Sequence, residues 1–209
     1  MDYSRDLARS DSPSAELPAS WPDKGKIDIQ DLSLRYPDGT LALDNISMHI
    51  RPDEKIGICG RTGSLLANPS RFSGKCSLTL AMLRLVDFSH GSITIDQTDI
   101  SKIAPGSIRE RLIAVPQDPF TLLGTIHIAD VMRLSRDSEI TFVLKDIGVW
   151  AAIQSRGGLD ALPEDHPLSQ GEQQLFCLTW AILKRQTSNG ACQMLILDEA
   201  TSSLDAQRN

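Results

Sequence analysis

No apolar run in this 209-residue chain approaches the roughly 18–20 residues that span a bilayer, so any membrane connection must come from a partner or from segments outside this sequence. Cysteine is sparse. Cys59, Cys76, Cys177 and Cys192 stand far apart and form no CxxC pair. That argues against a zinc site or a disulfide framework and suits reduced thiols in cytosol. Basic excess is lacking too. The formal net charge is −6, which makes a broad basic surface for nucleic acid unexpected. The N-terminus holds Asp2, Arg5 and Asp6 but no apolar core, which excludes a secretory signal. The histidines (His49, His90, His127 and His166) are single and scattered without ligand spacing, and no internal repeat is visible. What is present is an ordinary globular composition, 41% hydrophobic and 23% charged, on a length that suits one domain with a tail.

Residues 1–24 carry Pro13, Pro18 and Pro22 among many Ser, Asp and Arg, and read as a linker or disordered arm. The domain proper is expected over residues 25–209. Ile27 and Ile29, then Leu32 and Leu34, then Ile46, Met48 and Ile50 alternate with polar residues, a strand period. Asp38-Gly39 between them signals a turn. This opening predicts an antiparallel β region. Residues 56–59 read as a short buried strand. Leu78, Ala81, Met82, Leu85 and Val86 fall at helical spacing. Ile93 with Ile95, and residues 112–115, predict further strands. A mostly helical stretch is predicted from Asp130 to about Arg156. Another helix is predicted over residues 171–184. Met194-Leu195-Ile196-Leu197 is a continuous apolar run that suits a central parallel strand covered on both faces. Strand, helix and strand in this order imply an α/β core.

After the strand at 56–59 comes Gly60-Arg61-Thr62-Gly63-Ser64, and ten residues past Ser64 comes Gly74-Lys75-Cys76-Ser77 before an apolar helix. A phosphate-binding loop reads GxxxxGK[ST] between a strand and a helix. Its backbone amides curl around phosphate oxygens, the helix N-terminus adds positive potential and the lysine reaches the β/γ-phosphates. The strict pattern fails, because Pro69 stands where the first glycine belongs. Removing the nine residues 65–73 yields GRTGSGKCSL, one substitution away: Cys76 stands where Ser or Thr is expected. Nine extra residues cost only about 0.6 kcal/mol in loop closure. Losing three charge-assisted phosphate contacts would cost about 5–9 kcal/mol. The insert therefore either loops outward without disturbing the cradle or abolishes binding; a third reading is an unspliced or mispredicted segment. A thiol is a soft replacement for the hydroxyl that magnesium favours. Ser77, about 100° further round the helix, is not expected to take over that role.

The apolar run at 194–197 ends in Asp198-Glu199, placing two carboxylates at a strand's C-terminal end, where ligands gather in α/β sheets. Thirty residues before Asp198 stands Leu168, opening Leu168-Ser169-Gln170-Gly171-Glu172. This resembles the LSGGQ signature of ABC ATPases in a diverged form. The following Gln173-Gln174-Leu175-Phe176-Cys177-Leu178 is similar to the C, or multidrug-resistance-associated, subfamily. Val115-Pro116-Gln117-Asp118-Pro119-Phe120 resembles its Q-loop. Ala200-Thr201-Ser202-Ser203-Leu204-Asp205 resembles its D-loop, and Tyr36 the aromatic residue that stacks on adenine. Ser20-Trp21-Pro22 with Gly25-Lys26-Ile27 resembles the linker entering the second nucleotide-binding domain of that subfamily. The similarity runs from about residue 18 to residue 208.

The resemblance implies a P-loop NTPase core with an antiparallel β subdomain and a helical subdomain. It also implies C-terminal incompleteness, since the family's switch histidine lies some thirty residues past the Asp-Glu pair. It implies ATP and Mg²⁺ as ligands. Tyr36, Gly60, Arg61, Thr62, Gly63, Ser64, Gly74, Lys75, Cys76, Ser77 and Gln117 would hold the nucleotide. Asp198, Gln117 and, less suitably, Cys76 would hold the metal, and Glu199 would be the catalytic base. Ser169, Gln170, Gly171 and Glu172 would face the nucleotide of a second such domain in a head-to-tail pair. Glu172 departs from the usual glutamine, and Gln170 from a glycine or histidine. Transmembrane domains are the other implied partner, placing the chain on the cytoplasmic face of a membrane. The implied function is ATP-powered solute export. The other readings are a degenerate or regulatory nucleotide-binding module without turnover, an inactive truncated fragment, or a non-transport ABC ATPase. Against the last stand the acidic charge and the lack of a coiled-coil insert.

Overall fold

The computed structural model describes residues 17–18, 20–59, 74–115, 135–160, 167–188 and 194–198. Its first layer is a four-stranded antiparallel sheet in the order β2-β1-β3-β4. Strand β1 is Ile27–Arg35, β2 is Leu41–Ile50, β3 is His90–Ile95 and β4 is Thr98–Asp99. The predicted antiparallel region is therefore present, and the Asp38-Gly39 turn joins β1 to β2. There the Gly39 amide donates to the Tyr36 carbonyl at 2.9 Å.

The inward residues of β1 are Ile27, Ile29, Leu32 and Leu34, so the alternation slips by one between Ile29 and Leu32. A β-bulge explains the slip. Gln30 pairs with Ser92 and Ser33 with His90, so Asp31 and Leu32 together oppose the single residue Gly91. Asp31 sits at φ 47° and Gly91 at φ 89°. A Cβ on Gly91 would press on the Gln30 carbonyl and lie 2.5 Å from the Asp31 oxygen. The bulge thus returns both halves of β1 to one buried face, and glycine is what lets the backbones meet there.

Beneath this sheet lies α1 (Gly74–Met82), whose Leu78, Ala81 and Met82 join Ile29, Leu32, Leu34, Ile93 and Ile95 in one core. The helical spacing predicted to reach Val86 stops earlier: Arg84 takes φ 49° and Leu85 is exposed. A second, parallel layer pairs β5 (Leu112–Val115) with β6 (Met194–Leu197). Between the two sheets runs α2 (Pro105–Arg111), with proline in its first turn.

The remaining helices are α3 (Asp137–Ile147), α4 (Trp150–Gln154) and α5 (Gln170–Thr187). The mostly helical stretch predicted up to about Arg156 is, over its described part, two helices. Gly148 at φ 89° ends α3, its amide donating to the Leu144 and Lys145 carbonyls. One side of α5 places Cys177 and Ala181 on Ile113 and Val115 of β5. Another places Phe176 and Leu183 among Ile140, Val143 and Leu144 of α3 and Ile153 of α4.

Composition alone made the start of the chain an arm. Its last residues are docked. The Trp21 indole is buried and donates to the Ile95 carbonyl at 3.0 Å. Arg111 donates to the carbonyls of Pro18 and Trp21. The amides of Lys24, Gly25 and Lys26 converge on the Asp96 carboxylate at 2.9–3.1 Å.

Gly91→Ala is expected to destabilise the protein by about 1–3 kcal/mol, since it places a side chain at a left-handed, sterically closed position. Urea unfolding of both forms measures the difference.

Candidate nucleotide site

Gly74 opens α1, so Lys75 and Cys76 lie in its first turn, where backbone amides have no intrahelical acceptor. Across the fold, β6 ends at Leu197 and the Asp198 amide donates to the Val115 carbonyl at 3.0 Å, extending the parallel ladder by one bond. This puts Asp198 at the C-terminal edge of the sheet, as its place in the sequence predicted. Lys75 and Asp198 line the same cavity of about 310 Å³, together with Leu78, Met82, Ile56, Ile58, Leu195 and Arg185. A cation at a helix N-terminus and a carboxylate at a strand end thus share one space.

Two expectations are corrected here. Residues 56–59 were predicted as a buried strand, yet they form none, and Ile56 and Ile58 are 41% and 46% exposed. β6 was predicted as a central strand covered on both faces. Among the described residues it pairs only with β5, and Leu195 and Leu197 are 41% and 52% exposed. The two findings have one cause. A strand needs a neighbour along its edge to form a ladder and a packed layer over each face to bury its side chains, and among the described residues the edge of β6 away from β5 carries no ladder. Hydropathy marks both segments as core material but says nothing about which edge receives them.

Tyr36, expected under an adenine ring, packs partly against the sheet core, and its hydroxyl lies 3.1 Å from the Ser77 hydroxyl. Ser77 is fully buried. It faces Tyr36 rather than standing in for Cys76, in keeping with its position round the helix. The contact ties the turn after β1 to the helix that carries Lys75. Nothing in the sequence pattern linked these two residues, which are 41 positions apart.

The fit to magnesium is uneven. The Asp198 carboxylate is a hard oxygen donor and suits the ion, whereas the Cys76 thiol, half-buried in α1, is soft and does not. Gly60, Arg61, Thr62, Gly63, Ser64, Gln117 and Glu199 lie outside the described residues.

The signature segment begins α5. Ser169 is its N-cap, with φ −61° and ψ 159°, and accepts from the Glu172 amide. Glu172 reaches back to accept from the Ser169 amide at 2.7 Å, completing a capping box. Ser169 and Gln170 are exposed, and Gly171 is buried. Arg156, just past α4, donates to both Glu172 carboxylate oxygens at 3.1 and 3.5 Å. Sequence reading missed Arg156; only the shared core of α3, α4 and α5 brings it there. Burial pushes the Glu172 carboxyl up, but the Ser169 amide, the Ser169 hydroxyl side and the Arg156 guanidinium outweigh it and hold the group below the ordinary glutamate value.

A lysine-bearing helix start and an acid-tipped parallel strand around one cavity define a P-loop type nucleotide-binding α/β domain. Comparison with known proteins specifies it further. The ABC transporter family model matches residues 43–202. ABC multidrug transporter B of Aspergillus fumigatus is 39% identical over 193 residues, which cover 92% of this chain and 12% of that protein. ATP-binding cassette sub-family C member 8 of Homo sapiens is 42% identical over 195 residues, 90% of this chain and 11% of that protein. ABC multidrug transporter lscH of Purpureocillium lilacinum is 40% identical over 177 residues, 79% of this chain and 11% of that protein. The chain belongs to the ABC transporter family, as an ATP-binding domain of the ATPase type. It spans about an eighth of the length of the curated relatives it matches.

The lowered Glu172 value sets a pH dependence. A carboxylate whose folded value lies below its unfolded one stabilises the fold above the ordinary value of 4.5 and loses that contribution as pH falls through the folded value. Glu172→Gln is therefore expected to lower stability by about 1 kcal/mol at neutral pH. The gap between the two proteins should close below pH 4.5. Thermal melts across an acid series check both statements; a gap that stays constant below that pH would contradict the assignment.

Proposed function

We propose that this chain binds and hydrolyses ATP as the motor domain of an ABC-type exporter, acting head to tail with a second nucleotide-binding domain and driving transmembrane segments outside this sequence. The observation that carries the reading is the convergence of Lys75 and Asp198, 123 residues apart in sequence, on one cavity at the end of β6. In this reading Lys75 pairs with the β/γ-phosphates, with Gly60, Arg61, Thr62, Gly63, Ser64, Gly74, Cys76 and Ser77 forming the rest of the cradle. Tyr36 supports the adenine. Asp198 and Gln117 hold magnesium, which when bound supplies neutralisation of charge on the triphosphate. Glu199 orients the attacking water and takes its proton. Ser169, Gln170, Gly171 and Glu172 face the nucleotide held by the partner.

The length of α5 supports the pairing. Arg185 lines the Lys75–Asp198 cavity, and Gln170 begins the same helix fifteen residues earlier. At 1.5 Å per residue the separation is about 22 Å along the axis, farther than a triphosphate extends. One ATP therefore does not touch both ends of α5 in the same chain, and the signature end is left for a nucleotide carried by another. Relatives named as multidrug transporters support export as the use of the stroke, with the chain held on the cytoplasmic face of a membrane through its transmembrane partner. The acidic net charge of −6 speaks against nucleic acid as a partner.

A second reading, a nucleotide-binding module without turnover, draws on the Cys76 thiol and on residues 56–59, which pair with no strand among the described residues. Calorimetry of the full chain with ATP decides first. The expected result is binding at about micromolar strength that depends on Mg²⁺. A folded chain that binds no ATP overturns the proposal, while binding without phosphate release in the presence of a companion domain selects the second reading. Cys76→Ser should strengthen the Mg²⁺-dependent part, and the idea fails if Mg²⁺ has no effect in either form. Deletion of residues 65–73, which leaves GRTGSGKCSL, should raise ATP affinity; an unchanged affinity would show that the insert does not disturb the cradle.

A further inference from the structure

Glu172 places a negative charge in the first turn of α5, beside the surface that the proposed function assigns to a partner's triphosphate. A carboxylate there suits the helix dipole but repels an incoming polyphosphate. Arg156 meets that carboxylate with two donors, at 3.1 and 3.5 Å, in a partly buried pair with side chains 26% and 22% exposed. Arg156 is itself held in place. Its guanidinium also donates to the Ala152 carbonyl at 2.7 Å, and its backbone amide donates to the Ile153 carbonyl at 3.1 Å. The cation is therefore fixed to the end of α4, and its fork is directed at one residue of α5. A planar guanidinium with two parallel bonds both cancels the charge and sets the direction in which the carboxylate points. Glu172 in turn holds the Ser169 amide at 2.7 Å, so the pair also fixes the N-cap.

We infer that Arg156 is a positioning residue of the signature: by neutralising and orienting Glu172 it keeps the turn at the start of α5, where Ser169 and Gln170 are exposed, able to receive a triphosphate. This rests on the reading of that turn as the partner-facing nucleotide surface. A merely structural Arg156 would tie α4 to α5 whatever the charge at position 172, and the two roles differ in what rescues the loss.

The test uses the full chain labelled with ¹⁵N, titrated with sodium tripolyphosphate and, separately, with ATP. The amides of Gln170 and Gly171 report on the signature turn, and that of Lys75 reports on the phosphate loop. Saturable shifts at Gln170 and Gly171 are expected in the unmodified chain. Arg156→Gln should raise the half-saturating tripolyphosphate concentration about tenfold, because an unpaired carboxylate then faces the anion. Adding Glu172→Gln to that variant should restore the original response, Arg156→Lys should retain most of it, and Glu172→Gln alone should bind at least as tightly as the unmodified chain. The inference is overturned by an Arg156→Gln titration like the original, by a double variant as weak as the single one, or by a weakened Glu172→Gln. The last comparison stands even where Arg156→Gln fails to fold. Gln170 and Gly171 amides that never move also overturn it; if Lys75 responds to ATP in that case, the ATP-binding reading survives. A silent Lys75 beside a responsive signature turn would instead count against that reading alone.

Discussion

The relation between the signature turn and the Lys75–Asp198 cavity depends on α5 having two buried sides. Cys177 and Ala181 seat it on β5, and Phe176 and Leu183 seat it among α3 and α4. A helix buried on two sides loses the freedom to roll or slide, since shifting either contact opens a void against close-packed neighbours. One end of this rigid rod presents Ser169 and Gln170 to solvent, and the other brings Arg185 to the cavity shared by Lys75 and Asp198. The distance between the exposed start of α5 and the Lys75–Asp198 cavity is thus set by the number of residues in a single helix.

The antiparallel sheet plays a different part. Its bulge at Asp31 and Leu32 opposite Gly91 keeps β1 facing the core along its whole length, and α1 packs on that core. The Tyr36–Ser77 contact then joins the β1–β2 turn to the helix of Lys75. The sheet and the helix of Lys75 are therefore joined both through the core and at this turn. The segment entering the domain is clamped to the same sheet through Trp21, Arg111 and the Asp96 carboxylate, so a pull on the chain before residue 20 would act on the strand that holds Ile95.

Much of this was legible beforehand. Period-two alternation marked β1 and β2, whereas the bulge between Ile29 and Leu32 emerged only from the strand pairing. The start of α5 was legible to within a residue, predicted at Gly171 and found at Gln170, while the capping box of Ser169 and Glu172 came only with the structure. The acid-tipped apolar run located Asp198. What proved illegible were pairings between distant segments: Arg156 with Glu172, Tyr36 with Ser77, and Trp21 with the Ile95 carbonyl. Residues 56–59 show the converse, an apolar stretch whose strand character depends on an edge elsewhere.

The sequence by itself determined the family, the antiparallel strands of the first sheet, the helix over 171–184, the apolar strand before Asp198 and the residue types that the resemblance assigns to phosphate and metal. These follow from local periodicity, turn chemistry and motifs read over a few neighbouring residues. Only the tertiary structure decided which strand edges are paired, that Lys75 and Asp198 share one cavity, and that the charge of Glu172 is cancelled by an arginine from another helix. The physical reason is that burial, ladder formation and ion pairing act through space between segments whose separation along the chain carries no signal of their contact.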